Sequence, residues 1–495
     1  MTAASPVTGH NRQVILARGW FRPALLIVLA LLALRLIALA LTKAQLFVDE
    51  SQYWLWGQEL ALGYYSKPPL IGWVIRLTTE IGGTSDFWVR VAAPICHAAT
   101  ALILAATAAR RYGRKAAIWV TLGYMTLPFV ALGSLLITTD TIMAPFYAAA
   151  LFFWLRHLDW GDLKDAIFAG LMVGAAMMAK YAGVYFLLGA GLAALVDPRF
   201  RTRPAAWAAL VAGTLAVLGP NLIWNATHSF VTLRHTADNS GWIKSAHPLA
   251  GLNPVEAGQF LLEQLVVFGP VLFAGLVFLA LGRSRRGQLG WLALILVPLA
   301  VVTVQALMSR AYANWAISAY FPAIILVTGW LLARSPRLLI LSLAVNAALS
   351  LAVPVVSMLP QLSFAGMPLM GRYLGREETS AQILSIAQAK GVAAIVSRDR
   401  DVLADLFYRV AQRPDAGLPP VFARPYRNKP MNYFELRHLL PADLRGTVLF
   451  IGSDAPVCDG QTRPPLQALV AADGAYADQG LSLYLVAAEC LHARP

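Results

Sequence analysis

Charge is the scarcest property of this chain. Asp, Glu, Lys and Arg supply 13% of its 495 residues, against roughly 25% in a soluble globular domain. The shortfall is confined to the first part. Long apolar runs alternate with short polar clusters up to about residue 357, and ordinary composition follows. Acidic residues are few, 26 against 40 Lys and Arg, so the formal net charge is +14. No internal repeat or low-complexity tract is present. The first apolar run, Pro23 to Thr42, lacks a small-residue cleavage site and is too long for a signal-peptide core, which identifies it as a retained anchor.

The apolar runs each approach the ~20 residues that cross ~30 Å of hydrocarbon. Eleven spans are expected, at 23–42, 87–109, 116–136, 141–155, 165–180, 181–196, 205–224, 257–281, 289–308, 314–333 and 338–357, with thirteen on the widest reading. The cations cluster in linkers: Arg110, Arg111, Arg114 and Lys115; Arg199, Arg201 and Arg203; Arg283, Arg285 and Arg286; Arg334 and Arg337. That is the positive-inside pattern of a polytopic membrane protein, and with no basic face on a soluble module it sets nucleic acid aside as a partner. With Arg12, Arg18 and Arg22 inside, every Arg-rich linker falls on the cytoplasmic side. An odd span count places the C-terminus outside, which in a bacterium is the periplasm. The expected architecture is therefore a transmembrane α-helical module over residues 1–357 and a periplasmic α/β domain over 358–495.

Cys458 and Cys490 lie in the outside domain, where disulfides persist, and are open to pairing or to remaining free thiols. Cys96 sits in an apolar span as a packing residue. In the C-terminal domain SAQILSIAQAKG reads as a helix ended by Gly391. VAAIVS, TVLFIGS and LSLYLVAA read as buried strands.

The first outside loop, about 43–86, is long and rich in interfacial aromatics: Tyr53, Trp54, Trp56, Tyr64, Tyr65 and Trp73. Residues 50–62 read as an amphipathic helix in the headgroup plane, and Pro68-Pro69 would open a second helix. A second outside loop holds Ile137 to Thr141. A third, at about 225–256, carries His228, Arg234, His235, Asp238, Asn239, Trp242, Lys244 and His247. A fourth runs Ser309-Arg310-Ala-Tyr312-Ala-Asn314-Trp315.

The ionisable residues that topology does not explain gather at this outer face. Asp49-Glu50 follows the first span, Lys67 lies in Ser-Lys-Pro-Pro-Leu, Asp140 is flanked by threonines, and Lys180 interrupts apolar sequence with no Arg-rich linker beside it. An ionisable residue embedded in apolar sequence is a functional candidate. One reaction class needs this set, namely sugar transfer from a polyprenyl-phosphate donor. Negative charge grows on the leaving phosphate, so fixed cations stabilise the transition state. Lys67, Lys180 and Arg310 are the candidates for that role. The acceptor hydroxyl loses a proton as it attacks, which calls for a carboxylate base. Asp49 is the first candidate, with Asp140 and Glu50 beside it. No nucleotide pocket is needed.

The order of Asp-Glu and two aromatics, Lys-Pro-Pro-Leu, Arg90 at the next span and Thr-Thr-Asp-Thr after the third resembles the membrane glycosyltransferases of the GT-C fold. Among these it is similar to the bacterial 4-amino-4-deoxy-L-arabinose lipid A transferases and the protein O-mannosyltransferases, over nearly the whole chain. The resemblance implies a catalytic aspartate at Asp49, a phosphate-contacting lysine at Lys67 and a second-loop acid at Asp140. Lys180 matches less tightly, and Arg310 matches only by its place before Tyr-Ala-Asn-Trp. Tyr53, Arg90 and Tyr312 are expected substrate contacts. The family's donors include mannose, arabinose derivatives and galacturonic acid, and its acceptors include lipid A, core sugars, proteins and other glycans. The expected partners are a polyprenyl-phosphate sugar donor, one such acceptor and the membrane lipids. No cofactor is demanded; a divalent metal is compatible but not required, and no metal ligand is assigned.

Other signals are set aside. Asp399-Arg-Asp401 spells the Asp-X-Asp of nucleotide-sugar enzymes but reads as a solvated turn, because three-letter motifs recur by chance. The spacing of His228, His235 and His247 matches no zinc signature. Arg35, midway in the first span, is costly facing lipid and is expected to face the bundle. Gly170 and Gly174 form a helix-packing pair. His97 and Trp119 read as core residues. The rival functions are a flippase of lipid-linked sugars, which would concentrate polar features at the bilayer midplane and show repeated halves, and a polymerase or ligase of diphosphate-linked glycans.

Overall fold

The computed structural model describes residues 18–240, 252–282, 286–364, 366–425, 430–469, 474–477 and 479–492. Arg12, Trp242, Lys244, His247, Arg283 and Arg285 lie outside the described residues.

Helix α1 (Phe21–Leu41) is apolar throughout, with Arg35 as its one ionised interior residue. A loop then carries two short helices, α2 (Val48–Gln58) and α3 (Leu70–Gly82), the latter opened by Pro69. After α4 (Asp86–Arg90) comes α5 (Ala92–Met125), which is not a single rod. Gly113 inside it has φ 83°, a conformation glycine adopts at little cost. His97 Nδ1 lies 3.0 Å from the Tyr124 hydroxyl. In a straight helix those residues would stand about 40 Å apart. The chain therefore reverses in the Arg-rich segment around Gly113.

The expected span over 116–136 is broken. Its second half is a separate helix, α6 (Pro128–Leu135). Pro128 cannot donate a backbone hydrogen bond to the preceding turn. Arg35 fills the break, donating to the Met125 carbonyl, to the Ser134 hydroxyl and to Val130 O at 2.5 Å. Carbonyls at a helix end need such a donor inside an apolar bundle.

Helices α7 (Thr139–Trp160) and α8 (Leu163–Ala179) form an antiparallel hairpin, followed by α9 (Tyr185–Val196), α10 (Pro204–Thr227) and α11 (Val231–Ser240). The α8–α10 contact depends on glycine: a Cβ on Gly174 would lie 2.7 Å from Thr214 O, and one on Gly213 2.6 Å from Ile167 O. The expected single span over 257–281 is instead two helices, α12 (Pro254–Val267) and α13 (Pro270–Leu281), bent by 119°. Gly269 at φ 91° and Pro270 make that corner. Helices α14 (Leu289–Met308), α15 (Tyr320–Arg334) and α16 (Pro336–Met358) complete the bundle. Among the described residues six helical stretches are long and apolar enough to cross a membrane, seven with the bent pair as one. That number treats the reversed Asp86–Met125 stretch as a single span.

Beyond Met358 a small hairpin, β1 (Ser363–Phe364) and β2 (Met367–Pro368), precedes α17 (Arg376–Ala389), β3 (Ala394–Ser397), α18 (Arg400–Ala411) and β4 (Val421–Ala423). Next come β5 (Thr447–Gly452), the hairpin β6 (Val457–Cys458) and β7 (Gln461–Thr462), then β8 (Gln467–Ala468) and β9 (Ser482–Ala487). The five-stranded sheet has order β4-β3-β5-β9-β8. β3 is parallel to β4 and to β5, and β9 is antiparallel to β5 and β8. β3 and the middle of β5 are buried and, Ser397 apart, apolar, as parallel strands covered on both faces require. Cys458 and Cys490 form a disulfide with Cα atoms 5.2 Å apart. One buried apolar cluster runs unbroken from the helical bundle through the first loop into this α/β region.

Candidate active site

The first loop does not lie flat on a membrane surface. Along α2, residues Val48 and Glu50 through Gly57 are buried, so the helix has no free face of the kind a headgroup-plane helix needs. It is held between α3 and α18: Trp54 packs edge-on against Tyr408 at 5.1 Å, and Trp56 stacks on Tyr64 at 4.8 Å. Tyr64 donates to Trp56 O at 2.6 Å and fixes the loop's return.

Glu50 and Arg90 are not open to a substrate. They are 2% and 0% exposed and bond to each other through two contacts, at 2.8 and 2.6 Å. Glu50 also accepts from Phe47 N and Ile137 N, and Arg90 donates to the Ala44 and Gln45 carbonyls. Every polar atom of the pair is used, which is what a charge pair taken out of water requires. The pair ties the start of the first loop to α4 and to the segment before α7.

Asp49, the neighbour of Glu50, projects into an opening. Its Oδ1 accepts from Arg400 Nη2 at 2.5 Å, and the two side chains remain 43% and 37% exposed. Arg400 Nε donates to Gln52 Oε1 at 2.8 Å, one helical turn from Asp49. Arg400 belongs to the Asp399-Arg-Asp401 triplet, which is no solvated turn. Asp399 caps α18, accepting from Asp401 N and Val402 N, as Asp does at an N-cap. Asp401 pairs with Arg376 at 3.1 Å.

The α7–α8 hairpin brings Asp140 and Lys180 to one end. Lys180 Nζ contacts both Asp140 oxygens, at 2.7 and 2.8 Å, and Asn314 donates to Oδ2 at 2.9 Å. Thr138 caps α7 beside them. Lys67 lies within electrostatic reach of Asp49, Asp140, Lys180 and Arg400. Among the described residues its amino group has no carboxylate at ion-pair distance. Burial first, and then the Lys180 charge, hold its pKa below the usual lysine value. An arriving anion would relieve both effects. His235 on α11 packs against Tyr65 at 4.9 Å, and burial with nearby Lys67 brings its pKa down to about 4. It is therefore neutral at pH 7 and adds no charge. Tyr53 is buried beside this group, and burial together with the Asp49 charge pushes its hydroxyl pKa well up. Arg310 and Tyr312 stand apart. They bond to each other, Tyr312 is 49% exposed, and their loop enters the cluster through Asn314.

Four sequence-expected residues, Asp49, Lys67, Asp140 and Lys180, thus meet at one opening beneath the α/β region. Sequence reasoning missed Arg400, Gln52 and Asn314. The signal for Arg400 was the triplet set aside as chance; Gln52 and Asn314 carry none beyond their position in outside loops.

This chain belongs to the membrane glycosyltransferases of the GT-C fold, as its relatives show. It is 38% identical over 481 residues to the lipid A galacturonosyltransferase RgtD of Rhizobium johnstonii, covering 95% of this chain and 99% of that one. The lipopolysaccharide core galacturonosyltransferase RgtB of the same organism is 26% identical over 254 residues, 50% of this chain and 51% of that one. A family model described as dolichyl-phosphate-mannose-protein mannosyltransferase matches residues 66–224. In structure the chain is similar to ArnT from Cupriavidus metallidurans, in the apo state at 16% identity and bound to undecaprenyl phosphate at 14%. Each has a TM-score of 0.60 and coverage of 95% and 98% of the two chains. That likeness shows the fold. The protein is a multi-pass membrane glycosyltransferase, and the flippase reading gives way to the enzyme.

Proposed function

We propose that this enzyme transfers a uronic acid sugar, galacturonic acid, from a polyprenyl-phosphate carrier to lipid A or its core at the periplasmic face of the inner membrane. The observation that carries the reading is the meeting of a half-exposed carboxylate, Asp49, with Lys67, which has no carboxylate at ion-pair distance among the described residues, and the Asp140–Lys180 pair at one mouth. The 38% identity to RgtD across nearly its whole length supports the sugar and the acceptor. The Arg-rich linkers at the opposite ends of the helices support the topology. In this reading residues 1–357 are the catalytic membrane module and 358–495 the periplasmic domain.

Lys67 holds the donor phosphate, a single compact charge without a competing carboxylate. Asp49 Oδ2 takes the proton of the acceptor hydroxyl as that oxygen attacks the anomeric carbon. The acceptor oxygen–carbon bond forms, the carbon–oxygen bond to phosphate breaks, and the electron pair stays on the phosphate oxygen. Configuration inverts, because attack and departure are on opposite faces. Lys67 and Lys180 meet the second negative charge of the released monoester. Asp140 keeps Lys180 aimed, with Asn314 fixing the carboxylate. Glu50 and Arg90 act as a brace for the loop that bears Asp49. Tyr53 lies buried beside the mouth, and Arg310 and Tyr312, bonded to each other, take no part in it. An apolar groove of about 860 Å³ between α12 and α13 is of the kind a hydrocarbon tail occupies.

The test is purified protein with polyprenyl-phosphate sugars and envelope lipids, wild type beside Asp49→Asn, followed by mass spectrometry. Glycosylated lipid should appear with wild type alone. Donor binding should survive in the variant, because the base acts only as the acceptor attacks. Product formed equally by Asp49→Asn would remove Asp49 from the chemistry.

A further inference from the structure

We infer that Arg400, delivered by the α/β region, is a specificity-determining residue that binds a second anionic group of the substrate, separate from the leaving phosphate. The inference rests on the transfer reaction proposed above and adds a residue and a selection rule to it.

The geometry comes from the two edges of a guanidinium. Arg400 spends one edge on α2: Nε on Gln52 at 2.8 Å and Nη2 on Asp49 at 2.5 Å. Both acceptors lie three residues apart on one face of that helix. The remaining nitrogen, Nη1, makes no hydrogen bond among the described residues, and the side chain is 37% exposed at the mouth. A guanidinium with a free edge takes a carboxylate or phosphate side by side. The position is held firmly. Arg400 opens α18, Asp399 caps that helix, and the following turns are clamped by Arg376 to Asp401 and Asp405 at 3.1 and 3.0 Å.

Charge points the same way. Of the groups that act on Lys67, Lys180 and Arg400 are cations and Asp49 and Asp140 carboxylates. Counting Lys67 itself, this set of most strongly acting groups holds three cations and two carboxylates. A purely structural arginine tying two layers together would need no open edge at the reaction mouth. Here the base and the free edge share one guanidinium. An anion bound at Nη1 is thereby set at a fixed offset from Asp49, with Oδ2 still free to take a proton.

The anion has two candidate sources with the same chemistry: the carboxylate of a uronic acid donor, and a phosphate monoester on the acceptor glycolipid. Competing transfers separate them. Undecaprenyl-phosphate galacturonic acid and undecaprenyl-phosphate galactose differ only in the charged carbon, and lipid A with and without its phosphates varies the acceptor. Each pair is run with wild type, Arg400→Gln and Arg400→Lys. The wild type should favour one charged partner by about tenfold or more, the scale on which a site built for a polar group rejects its neutral analogue. Arg400→Gln should lose about 10- to 100-fold with the charged partner and much less with the neutral one, so the preference collapses. Arg400→Lys should recover part of it. Collapse on the donor pair assigns the uronate, and collapse on the acceptor pair assigns the phosphate. Equal losses with all four substrates, or none, would overturn the inference and leave the transfer reaction standing. Wild type inactive with every donor would overturn both.

Discussion

At the scale of single residues, adjacent carboxylates have opposite fates. Asp49 and Glu50 are neighbours on one helix turn, yet Glu50 is sealed against Arg90 while Asp49 opens to the mouth. Their side chains leave α2 about 100° apart, so one faces the bundle and the other the cleft. Lys67 differs from Lys180 in a parallel way. Lys180 is neutralised by Asp140 in the resting protein, whereas Lys67 has no such partner among the described residues. Lys67→Ala should therefore weaken binding of undecaprenyl phosphate by about tenfold or more, the ~1.5–3 kcal/mol of a hydrogen bond to a charged group. Titration with the radiolabelled lipid in detergent measures it. Binding unchanged from wild type would take Lys67 out of the site.

Among the secondary-structure elements, proline and glycine decide which apolar runs are rods and which are corners. Gly113 permits the reversal within α5, Pro128 starts α6 afresh, and Gly269-Pro270 turns α12 into α13. Hydropathy averages over such residues, which is why 116–136 and 257–281 read as single spans. Gly170 and Gly174 show the converse: their Gly-xxx-Gly spacing is legible, and α10 backbone carbonyls do lie against them. Gly170→Val would drive its side chain into the Leu210 carbonyl. A backbone atom cannot step aside as a flexible side chain does, so the cost should reach at least about 1–3 kcal/mol. Thermal unfolding in detergent should show a lowered midpoint, whereas Gly191→Val, with open space around it, should unfold like the wild type.

Across the whole molecule, the α/β region is bonded to the first loop of the helical module, next to the proposed reaction centre. Gln45 accepts from the backbone of Arg376 and Glu377, Tyr408 bonds to Asp86, and Arg400 reaches Asp49. The disulfide Cys458–Cys490 closes a separation of 32 residues within this region, and such a closure typically contributes ~2–4 kcal/mol. Cys490→Ser should therefore lower the unfolding midpoint and, because α18 carries Arg400, turnover with it. Loss of stability with full turnover at assay temperature would separate the region from the chemistry.

Sequence alone determined the membrane class, the clustering of the arginines in short linkers, the α/β character of the last quarter and the identity of Asp49, Lys67, Asp140 and Lys180 as candidates. These depend on hydropathy and on charge placed where charge is expensive, both properties of local sequence. Only tertiary structure decided which charges are spent on each other. An ion pair such as Glu50–Arg90 or Asp49–Arg400 joins residues 40 and 351 positions apart, and nothing in local composition encodes that meeting. The burial of α2 escaped for the same reason: its aromatics suit a membrane interface and a protein interior equally well, and only the arrival of α18 settles which one covers them.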